Sequence, residues 1–333
     1  MTVTDSLFVL AAACAMFMGF AIQRGATCTV AAVDEIVTHR TAGRLSAMVE
    51  ASLWVLGCLL LGNLFGLTML MPHGYGTGAV TVIGGALLGI GAAINRACVF
   101  GAVARFGSGE WAYLATPIGF FLGCLAVQSF GRQLPSTSVA TGSDIFSAPV
   151  WITALLSLWI VWRAILLFRS PRTGGESVDI PMHALMARAT SLVWTPRAAT
   201  ITIGLTFFVL LLAVGPWAYT DVLTELAQMP SNSSVAGLAQ RLSLLLALLA
   251  GAAIGGWTAG RFRHQRINAT NVLRCLIGGA LMGVGGSLIP GGNDGLLLIG
   301  LPLLLPYALL ALATMCLSIA AWLIVERTGA TAQ

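Results

Sequence analysis

The stretch GGALLGIGAAINRACVFG, Gly84 to Gly101, decides how the rest of the chain is read. It begins as an apolar helix laced with glycine, breaks at Asn95-Arg96, and delivers Cys98 into a second, shorter apolar segment. A near copy returns as GGALMGVGGSLIPGGNDG, Gly278 to Gly295, with Gly292 where the first copy carries Cys98. At a constant offset of 194 residues, nine glycines of 43–101 coincide with glycines of 237–295. Random placement of the 12 and 13 glycines in these windows would align about two or three. The two windows, 43–101 and 237–295, are therefore the cores of an internal repeat.

Outside these copies the composition excludes a soluble globular protein: of 333 residues, 57% are hydrophobic and 9% charged, with a mean hydropathy of +0.90. A helix crosses the hydrocarbon with roughly 20 apolar residues, and about nine such runs are present. They lie at 6–23, 46–70, 79–95, 110–130, 149–168, 199–219, 238–260, 272–290 and 300–324. The fold class expected is an all-α polytopic membrane protein in one integral domain, residues 1–333. Residues 1–23 lack the basic start and small-residue cleavage site of a signal peptide.

All 17 basic residues are arginine. Fifteen fall on one side of the nine spans and only Arg132 and Arg241 on the other. The positive-inside bias then predicts an external N-terminus and a cytoplasmic C-terminus in a bacterial inner membrane. In that orientation span 2 runs outward and its counterpart, span 7, runs inward. Such an inverted-topology repeat commonly holds a transport site near the bilayer midplane. Residues 169–198 read as a cytoplasmic linker, with an amphipathic helix over 182–192 as an alternative; 131–148 and 220–237 read as external loops. The arginines follow the loops and have no interleaved aromatics, so the lipid bilayer is an expected partner and nucleic acid is not.

The breaks carry the functional reading. Polar, helix-breaking backbone at membrane depth is tolerated only where protein or a water-filled cavity satisfies it. Residues 96–108 are accordingly read as a re-entrant segment entering from the cytoplasm and 291–299 as its inverted partner; tight surface loops are the alternative. Helix N-termini exposed at such breaks present free N–H groups and positive partial charge to an anion. Near the start, GFAIQRGATC, Gly19 to Cys28, is a third broken helix presenting a cysteine, with no counterpart recognisable in the repeat. The substrate-binding candidates are Gly25, Thr27 and Cys28; Asn95, Arg96 and Cys98; and Gly291, Gly292, Asn293 and Asp294. For the other cysteines a small buried thiol is the ordinary reading, and their spacing suits neither zinc nor a disulfide framework. Pairs such as Gly62/Gly66 and Gly85/Gly89 suggest tight helix crossings. His39, His73, His183 and His264 have no paired nucleophile, and no phosphate-binding loop is present. No catalytic residue, metal or cofactor is expected.

At these residues the chain resembles the YeeE/YedE family of bacterial membrane proteins. The resemblance rests on Gln23-Arg24-Gly25…Cys28 after the first span, the glycines and Ala97-Cys98 after the third, and Gly279-Ala280-Leu281-Met282-Gly283 near the end. It implies nine spanning helices around a central constriction where short helices meet, and import of thiosulfate or a related sulfur anion. It also implies that Cys28 and Cys98 touch the substrate's sulfur, and that a cytoplasmic sulfur-carrier or regulator protein is a partner. The family's third cysteine would follow paired glycines; here Gly292 stands in its place. That departure leaves a membrane-embedded sensor of sulfur species, or a generic small-anion channel, as alternatives to a transporter.

Overall fold

Helices of this composition associate where small residues let backbones approach, because lipid tails are as apolar as leucine. The computed structural model describes residues 3–66, 74–130, 150–169, 194–228, 235–289 and 291–331. In chain order its helices are α1 (Val3–Gly25), α2 (Thr29–His39), α3 (Gly43–Leu64), α4 (Ala79–Asn95), α5 (Val99–Gly107) and α6 (Ala115–Phe130). After α7 (Val150–Arg169) come α8 (Pro196–Val214), α9 (Tyr219–Gln228), α10 (Val235–Thr258) and α11 (Ala269–Leu288). The last are α12 (Asn293–Gly295, extended by a π-helical turn over Leu296–Gly300) and α13 (Pro306–Thr331).

Eight helical segments among the described residues are long and apolar enough to cross a membrane. Two of them, Ser6–His39 and Ala79–Gly107, are broken helices that join α1 to α2 and α4 to α5. Helix α7 supplies a shorter apolar stretch, Trp151–Arg163, packed along α3. The protein is an all-α polytopic membrane protein.

The repeat is visible as reciprocal packing. A Cβ added to Gly84 would lie 3.0 Å from the Gly285 carbonyl oxygen, and one added to Gly91 would lie 2.6 Å from that of Gly278. Gly84 and Gly91 are the repeat counterparts of Gly278 and Gly285, so each end of α4 touches the counterpart of its other end on α11. Two equivalent helices can do this only if they lie antiparallel about a two-fold axis across them, which is the inverted topology. The flanking helices obey the same operation. Helix α4 packs on α13 through Gly85 and Gly89, and α11 packs on α6 through Gly279 and Gly283. Each of these four glycines would place a Cβ within 2.4 Å of a neighbour's atom, so a side chain there would separate the helices.

Helices α1 and α10 cross through Gly19 and Gly251, and α8 meets α3 at Gly204. The halves are thus α1–α6 and α8–α13, with α7 between them. Helix α7 is tied to α3 by a two-pronged ion pair: Arg163 Nε donates to Glu50 Oε1 at 2.9 Å and Nη2 to Oε2 at 2.7 Å. Its remaining surface, including Trp151, Leu155, Leu158 and Trp162, is exposed and apolar, as lipid contact requires.

Two expectations need correction. Residues 220–228 of the expected external loop 220–237 belong to α9, an amphipathic helix with Tyr219, Thr220, Val222 and Leu223 buried. Its short polar sequence resembles a loop until its apolar face is seen to pack on α6. Gly62/Gly66 is no crossing, because Gly66 (φ 71°) sits in open space just past the end of α3. Residues 170–193 of the expected linker 169–198, with the alternative helix over 182–192, and the loop expected at 131–148 fall outside the described residues.

Candidate functional site

Four short helices begin at one place. Helices α2, α5, α9 and α12 are each preceded by a break, and their N-terminal residues interlock near the two-fold axis. At the first break Ala26 takes positive φ (46°), the Thr27 N–H reaches back to Ile22 O at 3.2 Å, and Cys28 becomes the residue capping α2. At the second, Arg96 takes positive φ (58°), the Ala97 N–H returns to Ala92 O at 3.1 Å, and Cys98 caps α5. The same local solution appears twice because each helix must be stopped at depth with its last carbonyls satisfied. In the second half Gly291, with φ 134°, makes the corresponding reversal before Gly292 caps α12.

Cys28 and Cys98 are brought side by side: a Cβ added to Gly101, on the helix that Cys98 caps, would lie 2.5 Å from Cys28 Sγ. Cys98 is fully buried, and its Sγ accepts the Thr29 N–H at 3.1 Å. The Val99 N–H donates to Asn293 Oδ1 at 3.3 Å, while Asn293 Nδ2 donates to Thr29 Oγ1 at 3.3 Å. The Tyr219 hydroxyl donates to Val99 O at 3.3 Å, joining α9 to α5. Val99 and Asn293 are themselves repeat counterparts, so their bond crosses the axis. Beyond them the Thr220 N–H donates to Asp294 Oδ2 at 3.2 Å, the Thr220 hydroxyl donates to Asp294 Oδ1, and the Gly292 N–H donates to Thr220 Oγ1 at 3.2 Å. Asn293 and Asp294 are 0% and 2% exposed.

On the α2/α5 side a cavity of about 560 Å³ leads to Cys28. Its walls include Arg44, Arg96 and Arg105, balanced by Asp34, Glu110 and Glu326. Arg96 meets Glu326 at 3.5 Å in a largely solvated pair and Arg105 meets Glu110 at 3.3 Å in a partly exposed one, so these pairs add little stability.

Cys28, Cys98, Gly292, Asn293 and Asp294 are therefore brought together. Thr27 is buried beside them, and its Oγ1 has no hydrogen-bond partner among the described residues. The other candidates shape the site from behind. Asn95 is fully buried: its Nδ2 donates to Ala97 O at 2.8 Å and its Oδ1 accepts from Thr116 at 3.1 Å, pinning the α4 break to α6. A Cβ on Gly25 would lie 2.2 Å from the Ala199 Cβ, so Gly25 seats α1 on α8. Arg96 points into the cavity. Sequence reasoning misses Tyr219, Thr220 and Asp221 along with α9. Their signal is the break at Gly215-Pro216-Trp217, which precedes α9 as Gly25 precedes α2.

Four helix N-termini and two thiols thus meet at one buried point, and the relatives of the chain bear directly on that arrangement. The family described as sulphur transport matches residues 24–323. The chain belongs to that family. A relative within it is the thiosulfate transporter TsuA of Escherichia coli (strain K12), 24% identical over 316 residues, which cover 85% of this chain and 84% of TsuA. Family membership makes the chain a multi-pass membrane protein of sulfur-compound transport.

Proposed function

We propose that this protein takes up thiosulfate across the bacterial inner membrane past the Cys28–Cys98 pair. The observation that carries the reading is the pair itself, set between an arginine-lined cavity and four converging helix N-termini. Thiosulfate is a dianion with a soft terminal sulfur at one end and three oxygens at the other. Neutral thiols are weak donors suited to the sulfur, while the helix N-termini bias the site toward the oxygens without a fixed cation. Conduction needs binding weak enough to release, which neutral thiols satisfy better than a buried arginine would.

In this reading Cys28 and Cys98 contact the substrate directly, Thr27 and Asn293 line its passage, and Gly291, Gly292 and Asp294 bound its far side. Gly25, Asn95 and Arg96 fix the geometry of the breaks. The arginine distribution supports a cytoplasmic cavity with the N-terminus outside, and the same cavity is where a cytoplasmic sulfur-carrier or regulator would collect the ion. The route involves no catalytic step.

Sensing without flux is the second reading, favoured by the absence of a thiol at Gly292. Proteoliposomes containing the purified protein separate the two. Radiolabelled thiosulfate should accumulate and be competed by unlabelled thiosulfate far better than by sulfate, which lacks the soft sulfur. Binding with no accumulation would support the sensor, and equal competition by sulfate would support a generic anion channel.

A further inference from the structure

The junction is symmetric in its helices and asymmetric in its chemistry. On the cavity side the residues preceding α2 and α5 are Cys28 and Cys98; on the far side the residues preceding α9 and α12 are Ala218 and Gly292. Gly292 does not leave a hole. A Cβ there would lie 2.6 Å from Thr220 Oγ1 and 2.8 Å from Asp294 Oδ1, so these side chains already hold the space that a thiol would use.

We propose that Thr220 and Asp294 form a proton-operated latch on the far side of the junction, occupying the third-thiol position and setting when a sulfur dianion can pass. The proposal rests on the transport reading above. As a carboxylate, Asp294 accepts from both the amide and the hydroxyl of Thr220, and the Thr220 hydroxyl in turn accepts from Gly292. This chain draws α9 and α12 together and turns a negative charge toward an approaching dianion. Protonation removes the charge, and with it the charge assistance of both bonds from Thr220, so the contact loosens.

The surroundings favour proton uptake. Asp294 and Thr220 are buried. A Cβ added at either Gly291 or Gly295 would lie 3.9 Å from Asp221 Oδ1, so the α9 carboxyl flanks both sides of the α12 start and the two acids share one buried neighbourhood that disfavours charge on both at once. The other titratable group facing the pair is Tyr219 on α9, which also faces Cys98 ahead of α5. Tyr75 and Tyr307 face Asp221, as do Glu225 and its partner Arg241, paired at 2.8 Å. None of them places a cation against Asp294.

The test is thiosulfate uptake into proteoliposomes at equal internal and external pH, stepped from about pH 8 to about pH 5.5, where the substrate stays a dianion and a carboxyl can take up a proton. Wild-type uptake should rise at least about fivefold toward acid. Asp294→Asn should abolish the dependence. Thr220→Val, which keeps the shape and removes the hydroxyl, should shift the rise to higher pH and keeps the test decisive if Asp294→Asn does not fold. Uptake that is measurable but flat with pH in the wild type, or variants that retain its profile, would overturn the latch. No uptake by the wild type at any pH would overturn the transport reading instead.

Discussion

Cys98 does two jobs that substitution can separate. Its sulfur is the acceptor for the buried Thr29 N–H, and it is the fully buried member of the thiol pair. Replacement by serine keeps an acceptor for Thr29, so stability in detergent should stay within about 1 kcal/mol of wild type. Replacement by alanine strands the amide and should cost about 1–3 kcal/mol, read as a lower thermal midpoint. Uptake should fall in both, because neither restores a soft, weakly donating sulfur. Serine supporting wild-type uptake would mean that only the hydrogen bond matters. Glu50 offers a separate case. An acid in a predicted span looks functional in sequence, yet its oxygens are taken by Arg163 at 2.7 and 2.9 Å. Glu50→Gln should therefore loosen α7 and lower thermal stability by a few kcal/mol, since it leaves a largely buried guanidinium without its counter-charge.

Among elements, glycine position separates packing from turn-making. Gly283 would place a Cβ 2.0 Å from the Phe120 carbonyl, and Gly251 would place one 1.8 Å from that of Met16. Gly283→Leu and Gly251→Leu should each prise a helix pair apart and abolish the folded peak in size-exclusion chromatography. Gly66→Ala meets no neighbour and carries only the strain of positive φ, about 1 kcal/mol, so it should run as wild type. The long helices are legible in the sequence because hydropathy and glycine period both survive there, and the α4/α11 correspondence is legible because close backbone approach permits only glycine. Helix α9 is not. Ten residues with Thr, Asp, Glu and Gln carry no spanning signal, and the counterpart of α2 emerges only when both are seen to start at the same junction. Asp294 is legible as an acid at a helix break, but its bond to Thr220 depends on α9 and so is not.

At the scale of the molecule, the two-fold operation brings four broken helices to one point, and the departures from symmetry there set the chemistry: thiols on the cavity side, hydroxyl and carboxylate on the other. A symmetric frame explains why the breaks coincide, and divergence within it gives the two sides different chemistry. The central claim is that the sulfur anion passes the Cys28–Cys98 pair. The most direct measurement is the initial rate of radiolabelled thiosulfate uptake into proteoliposomes carrying equal amounts of folded wild type, Cys28→Ala, Cys98→Ala and, as a control on α3 away from the junction, Cys58→Ala. Cys28→Ala and Cys98→Ala should each lose at least about tenfold, equivalent to about 1.4 kcal/mol of barrier, while Cys58→Ala matches wild type. Uptake by the Cys28→Ala, Cys98→Ala double variant at the wild-type rate would contradict it.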